Sequence, residues 1–112
     1  FVQREQRRGN TYDAILMDPP SYGRGPGGEV WKLEEQIYDL VEQCAALLSD
    51  RPLFFAINSY TTGLSPSVMQ YILGTLVSPK HAGVLSADEI GLPVTQSGLV
   101  LPCGATALWT ER

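Results

Sequence analysis

Two short segments concentrate the chemistry available to this chain. Asp18-Pro19-Pro20-Ser21-Tyr22 follows the apolar run Ala14-Ile15-Leu16-Met17, and Asn58-Ser59-Tyr60-Thr61 follows Leu53-Phe54-Phe55-Ala56-Ile57. Each sets polar and aromatic groups directly after a run that reads as a buried strand. In doubly wound sheets, ligands sit beyond the carboxyl ends of such strands. A carboxylate on a backbone fixed by prolines is an acceptor that needs little reorganisation when charge develops beside it. The plain alternative is a rigid turn in which Asp18 caps and Pro19 and Pro20 stop the strand. Tyr22 favours the functional reading, because a turn does not require an aromatic ring.

Other chemistries have less to stand on. His81 is the single histidine, which removes zinc sites built on several histidines and most Ser-His-Asp schemes. Cys44 and Cys103 are far apart and in no CxxC pair, as expected of free thiols in a reducing cytoplasm. The net charge of −4 argues against a broad basic face for nucleic acid but leaves room for a local basic patch. Arg24 and Lys32 could meet a phosphate, although Lys32 reads more simply as a solvated charge. Glu29 suits the opening of a helix, and Trp31 reads as packing.

The elements that must position these residues follow an alternating order. Arg4 to Arg8 ends at Gly9-Asn10 like a helix C-terminus with cations in its last turn. Ala14 to Met17 reads as a strand buried on both faces. Ser21 to Gly28 holds four glycines and a proline and reads as a loop. Glu29 to Ser49 carries Val30, Leu33, Ile37, Leu40, Val41, Cys44, Leu47 and Leu48 at helical spacing. Leu53 to Ile57 is a second buried strand. Pro66 to Val77 is a second clear helix, with Ser65 at the N-cap and Pro66 at the first helical position. Gly83–Ile90 and Ala105–Thr110 read as strands joined by a loop, Gly91–Gly104. The order strand-helix-strand-helix-strand implies parallel pairing through crossovers, with an antiparallel member at the end.

The whole chain has 112 residues, 44% of them apolar and 18% charged, which is one domain of globular composition. No apolar run approaches the roughly 18 residues of a spanning helix, and the amino end is charged from the start, unlike a signal peptide. Ala14 to Met17 demands cover on both faces that so few elements cannot supply. With no initiator Met, the expectation is half of a doubly wound domain, cut from something longer.

Asp18-Pro19-Pro20-Ser21-Tyr22 resembles the Asp/Asn-Pro-Pro-aromatic motif of class I S-adenosylmethionine-dependent methyltransferases that act on planar nitrogens. The continuation Gly23-Arg24-Gly25-Pro26-Gly27-Gly28-Glu29-Val30-Trp31-Lys32-Leu33 is similar to the ribosomal-RNA large-subunit methyltransferase-like group, as are Phe54 to Asn58 and Leu101-Pro102-Cys103-Gly104. The likeness covers nearly the whole chain. It implies an α/β, Rossmann-like fold of which residues 1–112 are the carboxyl-terminal half: a mostly parallel sheet, crossover helices and an antiparallel last strand. It also implies S-adenosylmethionine as cofactor, with Asp18, Pro19 and Asn58 towards it. Asp18, Pro19, Pro20 and Tyr22 would form the catalytic turn, and Tyr22, Arg24 and Tyr60 would meet the substrate. Asp18 and the Pro19 carbonyl would accept from the substrate amino group, while Tyr22 would stack on the base.

Two departures from the family follow. The Gly-x-Gly-x-Gly cofactor loop and the acidic ribose-binding residue would lie before Phe1, so this chain alone is expected to bind the cofactor poorly. Relatives that methylate carbon 5 of cytosine carry a nucleophilic Cys after the strand ending Ile57-Asn58-Ser59-Tyr60; none stands here, which disfavours thiolate attack. The reading is methyl transfer to a nitrogen of an RNA base, most simply ribosomal RNA, in the cytoplasm. The expected partners are an RNA reached through a further domain and the amino-terminal remainder of this one, with no membrane and no metal. Another planar nitrogen, in DNA, protein or a small molecule, is the alternative enzyme. A non-catalytic interaction module that retains the fold is the alternative of a different class.

Overall fold

Val2–Arg8 forms helix α1 and ends at Gly9, whose φ of 72° closes the helix in the left-handed region that glycine enters without strain. The computed structural model describes residues 1–61 and 63–112. Ala14–Met17 forms β1 and Phe54–Ser59 forms β4, and the two pair in parallel with Met17 opposite Ile57. β4 runs through Asn58 and Ser59, beyond the expected end at Ile57, because both continue the ladder to β6.

Three expectations need correction. Ser21–Gly28 is more than a loop: Tyr22–Arg24 (β2) pairs antiparallel with Val30–Lys32 (β3), turning at the glycines. Glu29 therefore sits at the turn, and helix α2 starts only at Leu33 and ends at Ala45. Val30 has helical spacing with Leu33, but it and Trp31 also suit a strand, and a pairing partner was present. Leu47 and Leu48 follow the helix in tight turns, donating to the Cys44 and Ala45 carbonyls. The segment Gly91–Gly104 is mostly strand. Val84–Pro93 (β5) and Val100–Thr110 (β6) form one long hairpin, with a register shift at Ile90/Gly91.

Helix α3, Pro66–Leu76, begins as its sequence demands: the Ser65 hydroxyl accepts from the Val68 N–H, and Pro66 stands in the first turn. The main sheet has four strands in the order β1-β4-β6-β5. The last strand is antiparallel to both neighbours, as expected, and inserts between β4 and β5.

The core lies on one face of that sheet. Phe55, Ile57, Ala107 and Trp109 face Leu33, Ile37 and Val41 of α2 and Met69, Leu73 and Val77 near α3, all within one buried cluster. Removing a buried aromatic ring from such a cluster costs about 3–5 kcal/mol. The other face differs. Leu16 is 68% exposed and Val84 52% exposed. β1, expected to be covered on both sides, is an edge strand whose Met17 and Ile15 meet the core while Leu16 does not. Among the described residues, no helix is long and apolar enough to cross a membrane.

Candidate active site

Parallel pairing of β1 with β4 brings the two polar segments to the same end of the sheet. They touch there: the Thr61 hydroxyl donates to the Ser21 hydroxyl at 2.7 Å. Thr61 is itself fixed by its backbone N–H, which donates to the buried Ser59 hydroxyl at 3.2 Å.

The Asp-Pro-Pro turn is held from three directions. The Pro20 carbonyl accepts from the Trp31 indole N–H at 2.7 Å. The Ser21 carbonyl accepts from the Leu33 N–H at 3.1 Å, and its side chain takes the Thr61 bond. Trp31, expected as packing, thus both packs against the core and clamps the turn. Asp18 is exposed, and neither its carboxylate nor the Pro19 carbonyl accepts a hydrogen bond from the described residues. Two acceptors with no protein donor, on a braced turn, suit a ligand that brings N–H donors.

Tyr22 is 53% exposed at the start of β2, and its hydroxyl accepts from Arg24 Nε at 3.0 Å. Their side chains share a strand face because they stand two residues apart. Tyr60 belongs to a different surface. It lines a cleft of about 360 Å³ with Thr61, Ser65, Glu89, Pro102 and Cys103, and none of Asp18 to Arg24 reaches it. Gly104 makes room for that ring, since a Cβ there would stand 2.7 Å from the Ser59 carbonyl and 2.7 Å from the ring edge. Tyr22 and Tyr60 therefore flank two neighbouring surfaces that meet at Thr61.

Asn58 lies inside β4, and its side-chain carbonyl accepts from the Thr106 hydroxyl at 2.8 Å, leaving its amide N–H donors available. Cys103, expected in a loop, lies on β6, exposed, with its thiol donating to the Ile90 carbonyl. Cys44 is buried among apolar groups of α2, which pushes its thiol up from the ordinary value and away from nucleophilic use. The sequence named Trp31 as packing, Thr61 within the second polar segment and Gly104 within the Leu101–Gly104 stretch, but not the supporting role that each takes in the fold. Only the first left a signal: Tyr22–Arg24 and Val30–Lys32 bracket a glycine-rich turn, the usual mark of a hairpin.

No family model matches the chain, and no curated protein does. Solved structures do. The SAM-dependent methyltransferase from Agrobacterium tumefaciens is 32% identical over 100% of this chain, with a TM-score of 0.86, and the chain spans 37% of its length. SMU.776, described as a methyltransferase and crystallised with SAH, is 18% identical over 97% of the chain, with a TM-score of 0.66; 29% of its length is spanned. M1.HpyAVI is 14% identical over 99% of the chain with a TM-score of 0.54, and 49% of it is spanned. At such identities the last two speak for the fold alone.

Proposed function

The chain belongs to the class I S-adenosylmethionine-dependent methyltransferases, and from that premise we propose that it is the carboxyl-terminal half of a domain that methylates a nitrogen of an RNA base, most simply in ribosomal RNA. The observation that carries the reading is the Asp18-Pro19-Pro20 turn, braced by Trp31 and Thr61 at a strand end, with its two acceptors left open. The half-domain assignment is supported by the open sheet face around Leu16 and by a shallow cavity of about 270 Å³ along β1, lined by Phe1, Ile15 and Leu16 among others. The amino-terminal remainder would cover β1 and bring the glycine-rich cofactor loop.

The residues present fit S-adenosylmethionine in donor chemistry: Asn58 offers amide N–H groups, and Asp18 and the Pro19 carbonyl can accept from an ammonium group or a hydroxyl. When bound, the cofactor supplies an electrophilic methyl group on a sulfonium. The chain's own part is positioning. Asp18 and the Pro19 carbonyl accept from the N–H groups of the target nitrogen, which aims its lone pair and fixes its rotation. As that nitrogen gains positive charge, the same acceptors bind it more strongly, so their effect falls on the transition state. Asp18 or solvent then takes the proton that the nitrogen sheds. Tyr22 holds the base by stacking, worth about 1–3 kcal/mol. A cytoplasmic protein that reaches RNA through a further domain completes the proposal.

The test is methyl transfer from labelled S-adenosylmethionine by the full-length protein to ribosomal RNA from cells lacking it. Nucleoside mass spectrometry should find one new N-methylated base. Label on carbon 5 of a pyrimidine, or none on RNA, would overturn the substrate assignment.

A further inference from the structure

The β2–β3 hairpin stands apart from the main sheet and presents two different faces. Gly23 and Trp31 are register partners, and Trp31 turns to the core. Tyr22 opposite Lys32 and Arg24 opposite Val30 therefore share the outward face. Tyr22, Arg24, Val30 and Lys32 are all exposed.

Charge on that face is uncompensated. Among the described residues the one ion pair joins Arg8 to Glu5, so neither Arg24 nor Lys32 has a carboxylate partner. Glu29, the acid nearest Arg24 in sequence, turns back to accept from the Gly27 N–H at the hairpin tip, and Glu34 and Glu35, which follow Lys32 in the first turn of α2, form no ion pair with it. Arg24 is also held in place. Its Nε is spent on the Tyr22 hydroxyl, which leaves the four terminal guanidinium N–H groups of this exposed side chain with no partner among the described residues. In a chain of net charge −4, two unpaired cations beside an exposed ring form a local anion site next to a stacking surface.

We propose that Arg24 and Lys32 hold backbone phosphates of single-stranded RNA flanking the base that Tyr22 stacks, so that the outward face of the β2–β3 hairpin is the RNA clamp of the site. This rests on the methyltransferase reading and assigns the charge that Lys32 would otherwise merely expose to solvent. The polyanion is drawn by charge and the base by the ring, which makes the clamp tolerant of sequence and sensitive to salt.

The test is a salt series of binding by the full-length protein to a fluorescein-labelled single-stranded RNA, with DNA of the same sequence alongside. For single strands, each neutralised phosphate adds about 0.7 to the slope of log K against log salt. Arg24→Ala and Lys32→Ala should each flatten the slope by about 0.7, and the double variant by about 1.4. Arg24→Lys and Lys32→Arg should restore it, which a structural role would not predict. Unchanged slopes in both alanine variants, absent RNA binding by the wild type, or tighter binding of the DNA would overturn the clamp. Calorimetry of S-adenosylmethionine on the wild-type preparation keeps the two readings apart. Lost cofactor binding refutes the methyltransferase reading, whereas unchanged slopes beside intact cofactor binding refute only the clamp.

Discussion

The indole N–H of Trp31 donates to the Pro20 carbonyl over 2.7 Å, joining the returning strand of the hairpin to the turn from which the hairpin departs. The proline carbonyl cannot swing while that bond holds, and Pro19 and Pro20 already fix the backbone on their side. The turn that carries Asp18 is thus braced by a residue thirteen positions beyond that carboxylate.

Trp31→Phe keeps the ring against the core and removes only the donor. Its thermodynamic cost should be modest, on the order of 1 kcal/mol for one neutral hydrogen bond. Its kinetic cost should be larger in turnover than in KM, because a loosened turn misplaces Asp18 in the transition state. Steady-state kinetics beside a thermal melt separate the two. A normal kcat with a lowered Tm would make Trp31 a packing residue after all.

Asp18→Ala should lower kcat by roughly 100–1,000-fold while KM for RNA changes little, as for loss of one oriented polar group in an active site. Asp18→Asn keeps an acceptor and should fall between. Near-normal turnover in Asp18→Ala would return the Asp-Pro-Pro segment to a rigid turn.

Glu5 and Tyr12 tie α1 to the segment that leads into β1. The Tyr12 hydroxyl donates to the Glu5 carboxylate, and Asn10 and Arg8 add weaker contacts. The Tyr12 bond, then Asn10 and Arg8, hold the Glu5 carboxyl below its usual range despite an opposing desolvation effect. The same bond raises Tyr12. A lowered carboxylate contributes stability above its unfolded pKa and loses it as the pH falls; a raised phenol contributes below its unfolded pKa and loses it as the pH rises. Glu5→Gln should therefore lower Tm most at neutral pH, and the gap should close as the pH drops through the glutamate range. A gap of constant size in melts from neutral to acid pH would show that charge has no part in it.

Much of this was legible in the residues. Gly9, Ser65 and Pro66 act through local backbone chemistry, and each did in the fold what its type implies. The apolar runs of β1 and β4 and their parallel pairing followed from pattern alone. What misled was pairing over distance. Val30 fitted the helical period of the residues after it, and only a partner strand across the glycine turn made Val30–Lys32 β3. Leu92 and Leu101 lie opposite one another on the β5–β6 ribbon, in a stretch whose Pro93, Pro102 and glycines spoke for a loop. At the site, Asp18 and Tyr22 were visible because their neighbours in sequence are also their neighbours in space. The Ser21–Thr61 bond was not, because it spans 40 positions and its two hydroxyls are ordinary residues until the sheet aligns them.

Leu16 tests whether the sheet has a second covered side. In β1 it stands opposite Ala56, which pairs in turn with Leu108, so the three line one row on the face away from α2 and α3. Here Leu16 is 68% exposed, whereas Met17 beside it is 7% exposed. A leucine on an open surface can be cut to alanine at a cost within about 0.5 kcal/mol. A leucine buried under a second layer costs about 2–5 kcal/mol when truncated. If the amino-terminal remainder packs on this face, Leu16→Ala in the full-length protein should fall in the second range by denaturant unfolding, with an unchanged m-value. Tyr71→Ala, at a position 69% exposed on α3, serves as the surface control. A Leu16→Ala effect no larger than that of the control would mean that the remainder leaves this face bare, and the proposal that it completes the sheet from that side would fail.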